Sequence, residues 1–139
     1  MEFQWDPSLE MGYEKIDTQH KELFTALNSL IESSRQGKEK DEIFKTLEFL
    51  KIYTVLHFDT EEELQVQYDY PGYLAHKRCH DEFKTIVGEL IKRLFTEGPT
   101  EKMLKLVTTT IGNWLLYHIK GDDLRMAVYI KSKEAEKNP

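Results

Sequence analysis

Apolar residues recur along most of this chain three or four positions apart, which is the spacing of one face of a helix. The pattern predicts four helices, over about residues 17–37, 40–68, 73–96 and 100–121. The apolar positions of the four helices are, in chain order, Ile16, Leu23, Leu27 and Leu30; Ile43, Leu47, Leu50 and Leu64; Phe83, Val87, Leu90 and Leu94; and Leu104, Val107, Ile111 and Trp114.

Turn signals separate these helices. Asp17 or Thr18 suits the N-cap of the first helix, residues 69–72 (Asp-Tyr-Pro-Gly) form a turn after the second, and residues 98–100 (Gly-Pro-Thr) separate the last two. Short connections make neighbouring helices antiparallel. The predicted fold is therefore all-α, an up-down-up-down antiparallel four-helix bundle. An N-terminal arm (residues 1–16) and a polar tail (residues 131–139) complete a single domain over residues 1–139.

Composition narrows the class of protein. The 139 residues are 40% hydrophobic and 32% charged, with a net charge of −6. No apolar run approaches the roughly 18 residues of a membrane-spanning helix, and the acidic balance argues against a nucleic-acid or anionic-membrane partner. One cysteine permits no internal disulfide, and the first residues lack the features of a secretory signal. We therefore expect a cytoplasmic protein without a membrane anchor.

Polar residues interrupt the apolar stripes at positions that should face the core. All five histidines fall there, and with them one glutamate. Two pairs have i, i+4 spacing, which places each pair on one helix face. The antiparallel order brings the whole set to the same end of the bundle: His20, His57, Glu61, His76, His80 and His118.

A bound metal explains these positions better than separate hydrogen bonds do. A single buried histidine is usually a hydrogen-bonded core residue, but each unpaired buried group costs about 1–3 kcal/mol, and the apolar walls offer few partners. His118 is followed by Asp122 and Asp123, which offer a second carboxylate beside Glu61. Five imidazoles and two carboxylates exceed the needs of one tetrahedral zinc ion, whereas calcium and magnesium prefer oxygen ligands. The run His76 to His80 also lacks the glutamate of a zinc-protease motif. A pair of transition-metal ions, iron above all, fits best; a metal-free bundle that binds a partner is the alternative.

An ordered set of motifs covers the chain from about Phe3 to Val128. These are Phe3-x-Trp5, Gly12, Ile16-Asp17-x-Gln19-His20-Lys21-x-Leu23, His57-Phe58-x-x-Glu61-Glu62, Tyr70-Pro71-Gly72-Tyr73, His76-x-x-x-His80-x-x-Phe83 and Trp114-Leu115-x-x-His118-Ile119-x-x-x-Asp123. Through these motifs the sequence resembles the hemerythrins, and in particular the single-domain bacterial hemerythrins.

The resemblance implies a centre of two non-heme iron ions with an oxo or hydroxo bridge and two carboxylate bridges. One iron would be bound by His76, His80 and His118, and the other by His20 and His57. Glu61 and Asp123 would bridge both ions. The position for O₂ would lie at the iron with only two histidines.

Asp122 and Asp123 compete for the last bridging position. A residue at i+4 from His118 stays within about 40° of its face, whereas one at i+5 is swung about 140° away, so regular helix geometry favours Asp122. The family pattern favours Asp123. The two agree if the backbone forms a local π-helical turn, which we expect Gly121 to make inexpensive.

The expected function is reversible O₂ binding without catalytic turnover, in an oxygen carrier, store or delivery protein that supplies an oxygen-using recipient. The alternatives are a sensor of O₂, NO or redox state with the same fold, or a di-iron enzyme such as a peroxidase or NO reductase. Small anions are further candidate ligands. Glu62 and Glu63 are expected to point outward. Candidates for a dry wall around the O₂ position are Phe58, Trp114, Leu115 and Ile119.

Overall fold

Four long helices lie side by side, and each packs against its two neighbours in the cyclic order α1, α2, α3, α4. The computed structural model describes residues 3–37 and 40–137. The helices are α1 (Glu14–Arg35), α2 (Lys40–Gln67), α3 (Tyr73–Glu97), α4 (Glu101–His118) and α5 (Leu124–Lys137), with a five-residue π turn (Ile119–Asp123) between α4 and α5. The all-α, antiparallel four-helix bundle is thus confirmed. Residues 1–2 of the predicted arm and 138–139 of the predicted tail lie outside the described residues.

The predicted apolar stripes form the core. Every residue of the four stripes is buried except Leu64 and Trp114, which are partly buried and pack against the rest. No helix within the described ranges has both the length and the apolar character needed to cross a bilayer.

The first helix begins at Glu14, three residues before the predicted start. The expected N-cap residue Asp17 lies inside the first turn of α1. Its carboxylate accepts hydrogen bonds from the backbone N–H groups of Met11 (2.7 Å) and Gly12 (3.1 Å). Neither Asp17 nor Thr18 is therefore the N-cap, and Asp17 instead fastens the end of the arm to α1.

The arm is also fastened at its beginning. The backbone N–H of Phe3 donates to Asn28 Oδ1 (2.8 Å), and Asn28 Nδ2 donates to the carbonyl oxygen of Phe3 (2.7 Å). The Phe3 ring covers Gly112 on α4 so closely that an added Cβ would lie 2.2 Å from the ring. Glycine is needed here because the ring occupies the space of a side chain.

The last helical segment extends well beyond the predicted end at residue 121. The backbone stays helical through the π turn and α5, so residues 131–137 belong to a helix and do not form a polar tail. The physical reason is burial, since Met126, Ala127 and Ile130 join the core. Near its end, Glu134 Oε1 accepts hydrogen bonds from the hydroxyls of Tyr13 (2.5 Å) and Tyr68 (3.0 Å), which join α5 to the arm and to the end of α2.

Candidate metal centre

Seven side chains meet in the core at one end of the bundle. They come from all four bundle helices and from the π turn, and each is at most 4% exposed: His20, His57, Glu61, His76, His80, His118 and Asp123. The structure thus brings together the seven residues that the resemblance implies as metal ligands, and leaves the competing candidate Asp122 outside the cluster.

The π turn explains how Asp123 reaches this cluster. The turn adds one residue to the helical register after His118, so Asp123 points inward and is fully buried. Asp122 lies at the margin, where its Oδ2 is 2.9 Å from His118 Nδ1. The predicted π turn is therefore present. The expected role of Gly121 is not required, because its φ is not positive and an added Cβ would make only an ordinary contact, 3.6 Å from Arg125.

The donor atoms form two overlapping groups. Glu61, His76, His80, His118 and Asp123 make up the first, which we call the three-histidine group. The second, called the two-histidine group, contains His20 and His57 with the same two carboxylates. Within each group, the donor atoms lie within 4.8 Å of one another.

Each shared carboxylate turns one oxygen toward each group. Glu61 Oε1 is 3.3 Å from His76 Nε2 and 3.1 Å from His80 Nε2, whereas its Oε2 is 3.2 Å from His57 Nε2. Asp123 Oδ1 is 3.1 Å from His118 Nε2, and its Oδ2 is 3.1 Å from His20 Nε2. Ligands on one ion at bonds of about 2.1 Å are separated by about 3 Å when adjacent, so these spacings suit metal ions shared by the two carboxylates.

Most of these atoms lack hydrogen-bond geometry despite their proximity. Within the described residues, nine buried side-chain polar atoms have no hydrogen-bond partner, and seven of them belong to His20, Glu61, His76 and Asp123. Unpartnered buried polar atoms are uncommon in proteins and usually signal an ion or a functional role. Their concentration at one point is the observation that fits a bound metal.

The mutual contacts shift the pKa values of three imidazoles upward, those of His20, His76 and His118. Burial alone lowers the pKa of His20 and of His76, but contacts with Asp123 and Glu61 outweigh burial and raise each pKa to about 9. Burial is likewise outweighed at His118, where the charge of Asp123 and the contact with Asp122 raise the pKa to about 10.

The two carboxylates show the opposite result. Burial raises the pKa of Glu61, but the neighbouring imidazoles, His57 first, hold it well below the usual range. Burial and the charge of Glu61 raise the pKa of Asp123. The opposing effects of His118 and His20 are larger, so the pKa of Asp123 lies below its usual range. Both carboxylates are therefore ionised, and the site favours a cation.

Three histidines form a hydrogen bond through Nδ1, the ring nitrogen that points away from the site. The contacts are His57 to Gln19 Oε1 (2.8 Å), His80 to Glu62 Oε2 (2.9 Å) and His118 to Asp122 Oδ2 (2.9 Å). The roles of Gln19 and Glu62 were not predicted from the sequence, and the expectation that Glu62 points outward was wrong. Glu62 lies on the flank of α2 that faces α3, which periodicity along one helix does not distinguish from the solvent side.

Known proteins share the features of this chain. Residues 11–130 match the family model described as the hemerythrin HHE cation binding domain. The chain belongs to the hemerythrin family.

Relatives match this hemerythrin domain over most of its length. It is 33% identical over 128 residues to a bacteriohemerythrin of Stenotrophomonas maltophilia, which covers 92% of this chain and 81% of that protein. It is 30% identical over 125 residues to a myohemerythrin of Theromyzon tessulatum, with 88% and 89% covered. A crystal structure of wild-type hemerythrin superposes with a TM-score of 0.81 at 26% identity, covering 92% of this chain and 97% of that one. The resemblance stated from the motifs is confirmed.

Two aromatic side chains pack against the site of this hemerythrin domain. The Phe58 ring stacks on His80 with centroids 3.8 Å apart, and the Trp114 ring stacks on His118 with centroids 4.5 Å apart. Phe58, Leu115 and Ile119 are buried, whereas Trp114 is partly exposed. The predicted wall residues Phe58 and Trp114 thus lie against the three-histidine group.

A surface groove of about 450 Å³ reaches the outer edge of the hemerythrin site at His118. Cys79 and Asp122 line it together with Trp114 and Tyr117. Burial and the nearby charge of Asp122 raise the pKa of the Cys79 thiol. Since the thiolate is the reactive form of cysteine, this environment disfavours the reactive form of Cys79.

Proposed function

We propose that the chain binds two iron ions in this cluster and binds O₂ reversibly as a carrier, store or delivery protein. The observation that carries the proposal is the pair of donor groups that share Glu61 and Asp123. One group of five donors would suffice for a single ion. A second group that uses the other oxygen of each carboxylate has a purpose only if a second ion is present.

The proposed ligands follow the two groups. His76, His80 and His118 would bind one iron, and His20 and His57 the other. Glu61 and Asp123 would give one oxygen to each ion, as the distances from their separate oxygens to the imidazoles support. An oxo or hydroxo group would complete the bridge.

Donor chemistry favours iron. Imidazole nitrogens with carboxylate oxygens suit iron, whereas soft thiolates are absent from the described donor groups and hard oxygen-only sites suit magnesium or calcium. Two ferrous ions held there supply the redox chemistry with which O₂ is taken up and released.

The protein contributes an open position and a dry environment. The two-histidine group offers four donors and the three-histidine group five, so a six-coordinate ion has more room for a small ligand at the former. His20 and His57 are at most 1% exposed, and buried Phe58 contacts His57 with ring centroids 5.9 Å apart. These side chains exclude water from the ligand position, which would favour release of O₂ over its irreversible reduction.

We further propose that residues 1–139 form a single domain that acts in the cytoplasm without catalytic turnover. O₂ would be the ligand, with NO or small anions as competitors, and an oxygen-using protein would be the recipient. A net charge of −6 gives no electrostatic reason for a nucleic-acid partner.

The test is an optical titration with gas exchange. Protein loaded with ferrous iron under anaerobic conditions should be nearly colourless, should gain a visible charge-transfer band on exposure to O₂, and should lose the band when the gas is removed. Protein loaded with Zn²⁺ is the control and should stay colourless throughout. Irreversible oxidation without an oxygenated form, even on rapid mixing, would overturn reversible binding and favour a redox sensor or an enzyme.

A further inference from the structure

The two donor groups differ in the hydrogen-bond partners of their imidazole Nδ1 atoms, which point away from the site. In the three-histidine group, the outer nitrogens of His80 and His118 each contact a carboxylate, Glu62 or Asp122, at 2.9 Å. In the two-histidine group, His57 donates to a neutral amide oxygen at 2.8 Å, and His20 Nδ1 has no hydrogen-bond partner within the described residues. Charged partners therefore stand behind one metal position only.

Both carboxylates are fixed by a cation on the side away from the histidine. Glu62 Oε1 lies 3.5 Å from Lys77 Nζ, and its side chain is 12% exposed. Asp122 Oδ1 contacts the guanidinium of Arg125, and its side chain is 29% exposed. Each histidine thus ends a chain of imidazole, carboxylate and cation, which holds the ring in one orientation with Nε2 toward the site.

The amide behind His57 is fixed as a neutral acceptor. Gln19 Nε2 donates to the Thr60 hydroxyl at 3.1 Å, and that hydroxyl donates to the carbonyl oxygen of Leu56 at 3.0 Å. These two bonds leave Gln19 Oε1 to accept from His57 Nδ1. The His57 ring is therefore also oriented by a hydrogen bond at Nδ1, but without the added negative charge.

A carboxylate behind a metal-binding histidine makes the ring a stronger donor, and loss of such a partner typically lowers metal affinity by about 10–100-fold. We propose that Glu62 and Asp122 are positioning residues that make the three-histidine position fill first and bind metal more tightly than the two-histidine position. This proposal rests on the proposed binding of two metal ions. The two-histidine position, where the small ligand would bind, is then the one that exchanges its metal.

The number of donors also favours the three-histidine position, so the experiment changes only the outer partners. Metal-free protein is titrated with Co²⁺ in a calorimeter, because Co²⁺ takes similar ligands without the oxidation that complicates iron. The double variant Glu62→Gln with Asp122→Asn keeps both hydrogen-bond acceptors and removes both charges. Its control is Asp59→Asn with Glu63→Gln, which removes two carboxylates from exposed positions on α2.

The wild-type protein should bind two Co²⁺ ions with separate affinities. In the double variant the tighter affinity should fall by about 10–100-fold and the weaker one by less than about 3-fold, whereas the control should change neither by more than about 3-fold. Gln19→Glu should instead strengthen the weaker step. Paramagnetic NMR at one equivalent of Co²⁺ should show hyperfine shifts at three imidazoles, those of His76, His80 and His118.

Failure of this proposal differs from failure of the proposed function. Fewer than two Co²⁺ ions per wild-type chain would contradict the dinuclear site itself. Two ions with an unchanged tighter affinity in the double variant, or with only the weaker affinity reduced, would overturn the role of Glu62 and Asp122. Circular dichroism checks that each variant keeps its helical signal, and the single variants E62Q and D122N carry the same test if the double variant does not fold.

Discussion

The two ends of the bundle have cores of different composition, one apolar and one polar. At one end, Leu30, Leu47, Leu94 and Leu104 fill the interior with side chains that are at most 3% exposed and need no polar partner. At the other end, five imidazoles and two carboxylates are equally buried. The apolar end stabilises the fold through burial alone. The site end is placed in the core by that fold, and its clustered donors suit a bound cation.

This contrast explains why the seven polar residues can be tolerated. Buried unpaired groups cost about 1–3 kcal/mol each, so an entire domain built like the site end would not be stable. The apolar end and the added contacts of the arm and α5 offset this cost. We therefore expect changes at the site end to depend on metal and changes at the apolar end to be independent of it.

The largest expected effect comes from removing a shared ligand. Asp123→Ala should lose bound iron and the spectrum of the bridged pair, because it withdraws one oxygen from both donor groups. Elemental analysis and optical spectroscopy measure the loss. Asp122→Ala is the matched control: with iron in excess it should still hold two ions, although less tightly. If Asp122→Ala lost the iron and Asp123→Ala kept it, the assignment of the inward carboxylate would be wrong.

Metal removal should destabilise the site end and leave the apolar end largely unchanged. Taking the iron away with a chelator should lower the free energy of unfolding by about 3 kcal/mol or more and the Tm by about 10 °C, because the buried donors lose their cation. Hydrogen exchange should accelerate at the start of α1 and α3 and at the end of α2, while the apolar end stays protected. Equal exchange and equal Tm with and without iron would show that the site end does not depend on metal.

A substitution that creates a cavity at the apolar end should destabilise the fold without affecting metal binding. Leu94→Ala removes a side chain with no exposed surface and should lower the free energy of unfolding by about 2–5 kcal/mol. The decrease should be the same with and without iron, and two ions should still bind. Urea denaturation of both forms measures it. A Leu94→Ala variant that binds less iron would mean that the two ends are coupled more closely than this division implies.

Two glycines, Gly112 in α4 and Gly121 in the π turn, give smaller and unequal effects. Gly112→Ala should lower the free energy of unfolding by about 1–3 kcal/mol, because the added Cβ displaces the Phe3 ring and loosens the arm. Gly121→Ala should change it by less than about 1 kcal/mol, since its Cβ meets only Arg125 at ordinary contact distance. Thermal denaturation compares the two. A large loss at Gly121 would show that the π turn needs glycine after all.

The sequence predicted the bundle and the clustering of the donors because both depend on helical periodicity. Apolar stripes determine which faces turn inward, and the histidines stand on those faces. The position of Asp123 could not come from periodicity, since a regular helix points Asp122 inward. Only the family spacing indicated the π turn.

Features that depend on neighbouring helices were not predictable from a single pattern. Glu62 is next to an inward residue, and only the packing of α3 against α2 turns it toward His80. Helix α5 was not predicted, and its end was assigned to a polar tail, because its polar residues outnumber the buried Met126, Ala127 and Ile130. The start of α1 was misplaced because Asp17, a good N-cap residue, instead binds the two amides of Met11 and Gly12.

The number of iron ions per chain is the most direct test of whether the two donor groups each bind one iron ion. Protein purified after expression with iron supplied, or reconstituted anaerobically with ferrous iron, should contain two iron ions per 139-residue chain by elemental analysis. We expect two ions because Glu61 and Asp123 each turn one oxygen to each donor group. One iron per chain, or stoichiometric zinc with no iron, would contradict the account.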